Sequence, residues 1–244
     1  MGLDTQRPTV DEIGEMTPEE MLGWAHAAHG SRAAIITSFQ NTGVVMIDMA
    51  YRLGHRLRVL TIDTLRLHQE TYDLMGRIEE RYGIAIERFR PDPDRVARMV
   101  QQHGEYLFFD SPEKQAYCCQ IRKVEPNQRA LETVDVWFTG LRRDQSEHRR
   151  NAPRATQIKA GQRPILKLSP LADWTEEDLT EYIRERDVPY NPLIDMGYAS
   201  IGCVICTTPT LPGEDKRAGR WRWFNQLRNE HQKECGIHIN GSGI

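Results

Sequence analysis

A mostly parallel β-sheet with helices on both faces, followed by a C-terminal appendage, is the fold this chain predicts. Three features carry that prediction. Short apolar runs alternate with longer segments whose apolar residues recur at helical spacing. Threonine caps and single glycines mark where the longer segments begin and end. Repeated strand–helix alternation is the signature of right-handed βαβ crossovers, which build parallel sheets.

The elements follow in order. Thr17-Pro18-Glu19-Glu20 reads as a capping box with proline in the first turn, opening a helix through about Ala28. AAIITS at 33–38 is a short apolar strand, and 43–54 is a helix ending at Gly54. RLRVLTID at 56–63 is the next strand. In 68–83, Tyr72, Met75, Ile78 and Tyr82 share a helical stripe that stops at Gly83. IAIERF at 84–89 is a third strand and 92–104 a further helix. VDVWFTG at 134–140 and PILKLSP at 164–170 complete the strands. From Thr175 the texture changes. Thr175 caps a helix through Arg186, then come VPYNPL, a CxxC loop, a basic Arg-Trp helix and a cysteine-bearing tail. The expected organisation is an α/β nucleotide-binding body over 1–174 and an appendage over 175–244 folded onto it.

With 244 residues, 39% hydrophobic and 27% charged, the chain can bury one large core. A net charge of −3 gives no basic field and argues against general nucleic-acid binding. The N-terminus is polar and acidic, with no secretory pattern, and no apolar run reaches membrane-spanning length. Five cysteines without an export signal fit a reducing, cytoplasmic setting, where metal binding or catalysis outweighs disulfides.

Three polar loops fall at predicted strand ends. Ser38-Phe39-Gln40-Asn41-Thr42-Gly43 joins a strand to a helix N-terminus and offers backbone N–H groups to an anion. It is not a Walker loop, because GxxxxGK[ST] is absent. Asp63 and Thr64 end the second strand. Arg142 opens the segment after VDVWFT, and a guanidinium fork suits phosphate or a base edge. In open α/β sheets such ends form one ligand crevice.

The cysteines divide into four and one. Cys118-Cys119 and Cys203-x-x-Cys206 make two thiolate pairs. Adjacent cysteines are awkward for zinc, which prefers spaced pairs, and a disulfide between neighbours is strained. An iron–sulfur cluster, a zinc ion and unliganded thiols all stay open on residue type alone. Lys123 lies four residues from Cys119, so a helix there would put its charge on the same face. Cys235 is left over, in a tail with Lys233, Gly236 and His238. Nearby cations would lower its pKa and supply a thiolate nucleophile. Arg217 and Arg220, three apart, would share a helix face and hold an anion. A spare thiol on a frayed tail and a solvated basic face are the plainer readings of the same residues.

Together these motifs resemble the assimilatory adenylylsulfate reductases, within the group that includes phosphoadenylylsulfate reductases. The likeness runs from about Ser38 to His238. It rests on Cys118-Cys119 with Arg122, Lys123 and Pro126, the Arg142–Ser146 segment, Cys203-x-x-Cys206, Arg217-x-x-Arg220-Trp221 and Glu234-Cys235-Gly236-Ile237-His238. The resemblance implies an adenine nucleotide α-hydrolase-like sheet. It implies a [4Fe–4S] cluster on Cys118, Cys119, Cys203 and Cys206, and Cys235 as nucleophile. On this reading the polar loops at the strand ends would form the adenylylsulfate site, lined by Ser38, Phe39, Gln40, Asn41, Thr42, Asp63, Thr64 and Arg142. Lys123, Arg217, Arg220 and His238 would bring positive charge to the sulfate. The implied reaction reduces adenylylsulfate to sulfite and AMP through an S-sulfonated Cys235, with thioredoxin or a similar dithiol protein as reductant. Three rivals remain distinct. An ATP-pyrophosphatase-type enzyme carries SGGxDS where this chain has SFQNTG. A binding module has no use for Cys235. A clusterless phosphoadenylylsulfate reductase lacks the two cysteine pairs.

Overall fold

The computed structural model describes residues 8–225. Its elements are α1 (Val10–Glu15), α2 (Pro18–His29), β1 (Ala33–Ile36), α3 (Asn41–Arg52), β2 (Arg58–Ile62), α4 (Gln69–Tyr82), β3 (Ile86–Phe89) and α5 (Pro93–His103). There follow α6 (Pro112–Cys119), α7 (Glu125–Glu132), β4 (Val136–Phe138), β5 (Ala155–Ala160), β6 (Arg163–Leu168), α8 (Glu176–Arg186) and α9 (Arg222–Asn225). Among the described residues, no helix is long and apolar enough to cross a membrane.

Six strands form one sheet in the order β3-β2-β1-β4-β6-β5. All neighbours are parallel except the edge pair β5–β6. Chain order reverses between β1 and β4, so a crevice opens at the carboxyl ends of those two strands. β1 is buried along its whole length, as a central parallel strand covered on both faces must be. One face packs against α2, α3, α4 and α8 through Leu22, Met46, Leu74 and Leu179. The other packs Ala34, Ile36 and Trp137 against Ala130 and Leu131 of α7.

Local chemistry explains the helix boundaries. Thr17 and Glu20 form the expected capping box at α2, and Thr175 and Asp178 form another at α8. Gly83 closes α4 at φ 59°, where a side chain would be strained. Buried Asp48 of α3 accepts from the Tyr82 hydroxyl at 2.9 Å, the Tyr182 hydroxyl at 2.8 Å and Arg52 Nε at 2.7 Å. That carboxylate ties α3 to α4 and α8.

Three features depart from the sequence expectation. β5 was not anticipated, because ATQIKA carries no apolar run and, after buried Ala155, alternates partly buried with exposed positions. Residues 120–124 form a π-helical turn between α6 and α7, so Lys123 does not stand at α-helical spacing from Cys119. The 216–221 stretch is not a helix; among the described residues, helical structure in this segment starts at Arg222. Its backbone bonds run sideways instead: Thr208 N–H to the Gly219 carbonyl at 2.9 Å and Trp221 N–H to the Cys206 carbonyl at 3.0 Å. Gly219 permits this pairing, since a Cβ there would collide with the Thr208 carbonyl.

Candidate functional site

A cavity of about 410 Å³ opens at the carboxyl ends of β1, β2 and β4. Ser38, Gln40, Asn41, Thr42, Thr64, Lys123, Arg142, Arg217 and Arg220 all line it. The β1–α3 loop reaches it because Gly43 lets the first turn of α3 lie against Thr37, where a Cβ would overlap the threonine hydroxyl. Arg217 and Arg220 both face the cavity, although from a turn rather than one helix face.

Two expected lining residues point elsewhere. Phe39 is fully buried in the core beneath α3, held at φ 58°. Asp63 is 1% exposed and does not line the cavity. It accepts from the Tyr72 hydroxyl at 2.7 Å, Arg90 Nε at 2.9 Å and Leu65 N–H at 3.0 Å. Burial, then the bond to Asp63, pushes the Tyr72 hydroxyl up to about 12. Asp63 thus braces the β2–α4 turn and positions Thr64 beside it.

Arg142 is 3% exposed at its side chain, and its fork is occupied within the protein. Nε meets Asp144 Oδ1 at 2.9 Å, Nη1 meets Thr42 Oγ1 at 2.8 Å and Nη2 meets Glu176 Oε2 at 2.6 Å. Burial opposes this charge, but the two carboxylates prevail and raise its pKa. Arg142 therefore fixes the loop after β4 against α3 and α8. Glu176 and the 194–202 stretch also line the cavity and were not anticipated. Glu176 was hidden as an ordinary first-turn helix acid. The 194–202 stretch carries no motif beyond its turn-forming glycines.

Cys118, Cys119, Cys203 and Cys206 line a second, smaller cavity. The end of α6 supplies the first pair and the 203–206 turn the second. Gln115 Nε2 lies 3.2 Å from Cys119 Sγ, and Thr64 Oγ1 lies 3.3 Å from Cys203 Sγ. Burial pushes the Cys118 thiol up; burial with the nearby Cys203 carries Cys206 up to about 12. Arg66, Arg122 and Arg220 line the same space. Arg66 Nη1, Arg122 Nε and Arg220 Nε are buried without a hydrogen-bond partner among the described residues. Buried N–H groups of that kind mark a place for an anionic group.

The cavities adjoin. Thr64, Lys123, Cys203 and Arg220 line both. Backbone strain gathers at this junction: Leu65 and Trp221 have φ 59° and 47° and flank Thr64 and Arg220. Cys235 and His238 lie outside the described residues.

Comparison with known proteins agrees with this geometry. Residues 32–209 match the phosphoadenosine phosphosulfate reductase domain. An adenosine 5′-phosphosulfate reductase of Burkholderia cepacia is 48% identical over 186 residues, covering 76% of this chain and 72% of its own. One from Pseudomonas aeruginosa (strain LESB58) is 38% identical over 231 residues, covering 93% and 84%. The crystal structure of phosphoadenylyl-sulfate reductase from Candida auris in a phosphate complex superposes with a TM-score of 0.69 at 28% identity. That match covers 85% of this chain and 100% of the other. With a domain match over most of its length and such relatives, the chain belongs to the phosphoadenosine phosphosulfate reductase family, among the adenosine 5′-phosphosulfate reductases.

Proposed function

We propose that this enzyme reduces adenylylsulfate to sulfite and AMP in sulfate assimilation, with Cys235 as nucleophile and thioredoxin or a similar dithiol protein as reductant. The observation that carries the reading is the shared wall of the two cavities. Four cysteines occupy one cavity, the strand-end crevice is the other, and Lys123, Cys203 and Arg220 border both. The fifth cysteine, Cys235, is thereby left for chemistry.

The four-thiol cavity suits a [4Fe–4S] cluster better than one metal ion. Zn–S bonds of about 2.3 Å would draw the sulfurs to within about 4 Å of one another. Among the described residues no three His, Cys, Asp or Glu side chains close on a single ion. A larger cluster spreads its thiolate ligands, and its negative charge would answer the buried N–H groups of Arg66, Arg122 and Arg220 that have no partner among the described residues. When bound, it would supply a fixed charge centre tying the 118–119 and 203–206 segments together.

Adenylylsulfate enters with its nucleotide at the strand ends, where the α3 N-terminus and the Ser38–Thr42 loop can meet the phosphate. Its sulfate lies toward Lys123, Arg217 and Arg220. The Cys235 thiolate, favoured by His238 and these cations, attacks the sulfate sulfur. A sulfur–sulfur bond forms and the bond from sulfur to the AMP phosphate oxygen breaks, AMP leaving with the electron pair. Anion meets anion in that step, so the surrounding cations stabilise the transition state. A thiolate of the reductant then attacks the Cys235 sulfur and expels sulfite. Its second thiol resolves the mixed disulfide and returns Cys235 to the thiolate. The donor loses two electrons and two protons, and sulfate is reduced to sulfite.

Anaerobically prepared full-length protein, given adenylylsulfate and reduced thioredoxin, is expected to release sulfite and AMP in equal amounts. Cys235→Ser should bind AMP and release no sulfite. Sulfite production by the serine variant would place the nucleophile elsewhere.

A further inference from the structure

We infer that Glu176 is a specificity residue that keeps a 3′-phosphorylated nucleotide out of the strand-end cavity. The inference rests on the reading of this cavity as an adenylylsulfate site.

The cavity has two electrostatically different ends. Lys123 and Arg220 mark the end it shares with the cysteine cavity. Arg142 and Glu176 mark the other end, where α8 begins. If the sulfate sits beside the cysteine cavity, the nucleoside occupies the α8 end. There the cationic side chains are Arg142, Arg149 and Lys216. Arg142 is held by Asp144 and Glu176, and Lys216 Nζ lies 3.2 Å from Asp144 Oδ2. Arg149 Nη1 donates to the Gln145 side chain. Three cations against two carboxylates leave about one positive charge, enough for the phosphate of adenylylsulfate, which as a mixed anhydride carries about one negative charge. A 3′-phosphate adds a further charge of about −1.5 to −2.

Arg142 cannot answer that added charge. Bonds to Asp144, Thr42 and Glu176 take four of its N–H groups. A guanidinium has about five in all. Glu176 also faces the cavity itself. It is 44% exposed at its side chain, with Oε1 accepting from Asn41 Nδ2 at 3.2 Å and Oε2 taking Arg142. A dianionic phosphate at this end meets the Glu176 carboxylate, while Arg142 has one N–H group left and Lys216 is already paired with Asp144. Rejection of a wrong ligand by an unanswered like charge is a general route to specificity.

The test uses anaerobically prepared full-length protein and calorimetric binding of AMP and adenosine 3′,5′-bisphosphate. Wild type should bind AMP far more tightly than the bisphosphate. Glu176→Gln removes the charge and keeps the shape. It should narrow the ratio of the two dissociation constants by about tenfold or more. Glu176→Asp keeps the charge and should keep most of the wild-type preference. An unchanged ratio in Glu176→Gln, or equal narrowing in Glu176→Asp, overturns the inference. So does wild type that binds both nucleotides equally, which would leave the adenylylsulfate reading standing. Wild type that binds neither removes that reading as well.

Discussion

The two adjoining cavities are built on opposite plans. At the strand ends, the buried arginine is saturated: Arg142 meets two carboxylates and a hydroxyl, and Asp63 nearby is equally satisfied. Around the cysteines, three arginines each keep a buried N–H group with no partner among the described residues. In the first cavity Arg142 and Asp63 are answered within the protein, and among the described residues Asn41 Oδ1 is left without a partner. The second keeps buried N–H groups that an anionic group among its thiols would answer. Lys123 and Arg220 line both.

The largest expected effect breaks the second cavity. Cys118→Ser or Cys206→Ser should abolish bound iron and sulfide and lower the thermal midpoint, because one ligand fewer unties two distant segments. Stoichiometric zinc without iron in anaerobically prepared wild type would contradict the cluster assignment.

Removing the cations at the junction comes next. Losing a desolvated charged contact costs about 2–5 kcal/mol. Arg220→Ala and Arg217→Ala should therefore reduce kcat/KM for adenylylsulfate by roughly 30-fold or more. Arg220→Ala should also alter the visible absorbance of the bound cluster, whereas Arg217→Ala should not, since only Arg220 borders the cysteine cavity. Wild-type turnover in both variants would place the sulfate elsewhere.

The saturated cavity should respond in stability. Arg142→Ala strands Asp144 and Glu176, and both carboxylates keep some solvent, so the cost should fall to about 2–3 kcal/mol, below that of a fully buried pair. Urea unfolding measures it. A loss no larger than that of an ordinary surface substitution would mean that Arg142 does not hold this wall together.

The smallest effect concerns the turn that carries Arg217 and Arg220. Glu214 accepts from Arg222 Nη1 at 2.7 Å and from Leu211 N–H at 2.8 Å, which holds its carboxyl down to about 2. A depressed carboxyl stabilises the fold above its ordinary pKa of 4.5 and ceases to do so as pH falls toward 2. Urea midpoints of wild type and Glu214→Gln should differ slightly at pH 6 and converge as pH falls toward 2. A constant gap would show that the pair adds nothing through its charge.

Legibility in the sequence followed the same division. Elements that obey one periodicity were readable: the threonine caps of α2 and α8, the glycine stop of α4, and the apolar central strands. β5 was hidden because an edge strand needs no apolar run. The rim was half readable. A strand end shows which residues are polar but not which way each turns, so Thr64 reached the cavity while Asp63 turned to Tyr72 and Arg90. The spacing of Arg217 and Arg220 suggested a helix, but their segment pairs sideways with 206–208, a long-range choice that local spacing does not encode. The cysteine pairs were legible because they lie far apart in sequence and share one residue type whose chemistry draws them together.

The most direct test follows the sulfur. Wild-type enzyme is incubated anaerobically with adenylylsulfate and no thiol, then digested and weighed by mass spectrometry. The account predicts one added SO3 on the peptide containing Cys235, with release of an equal amount of AMP. Reduced thioredoxin should then remove that mass as sulfite. The added mass on any of Cys118, Cys119, Cys203 or Cys206, or AMP release with no covalent adduct, would contradict it.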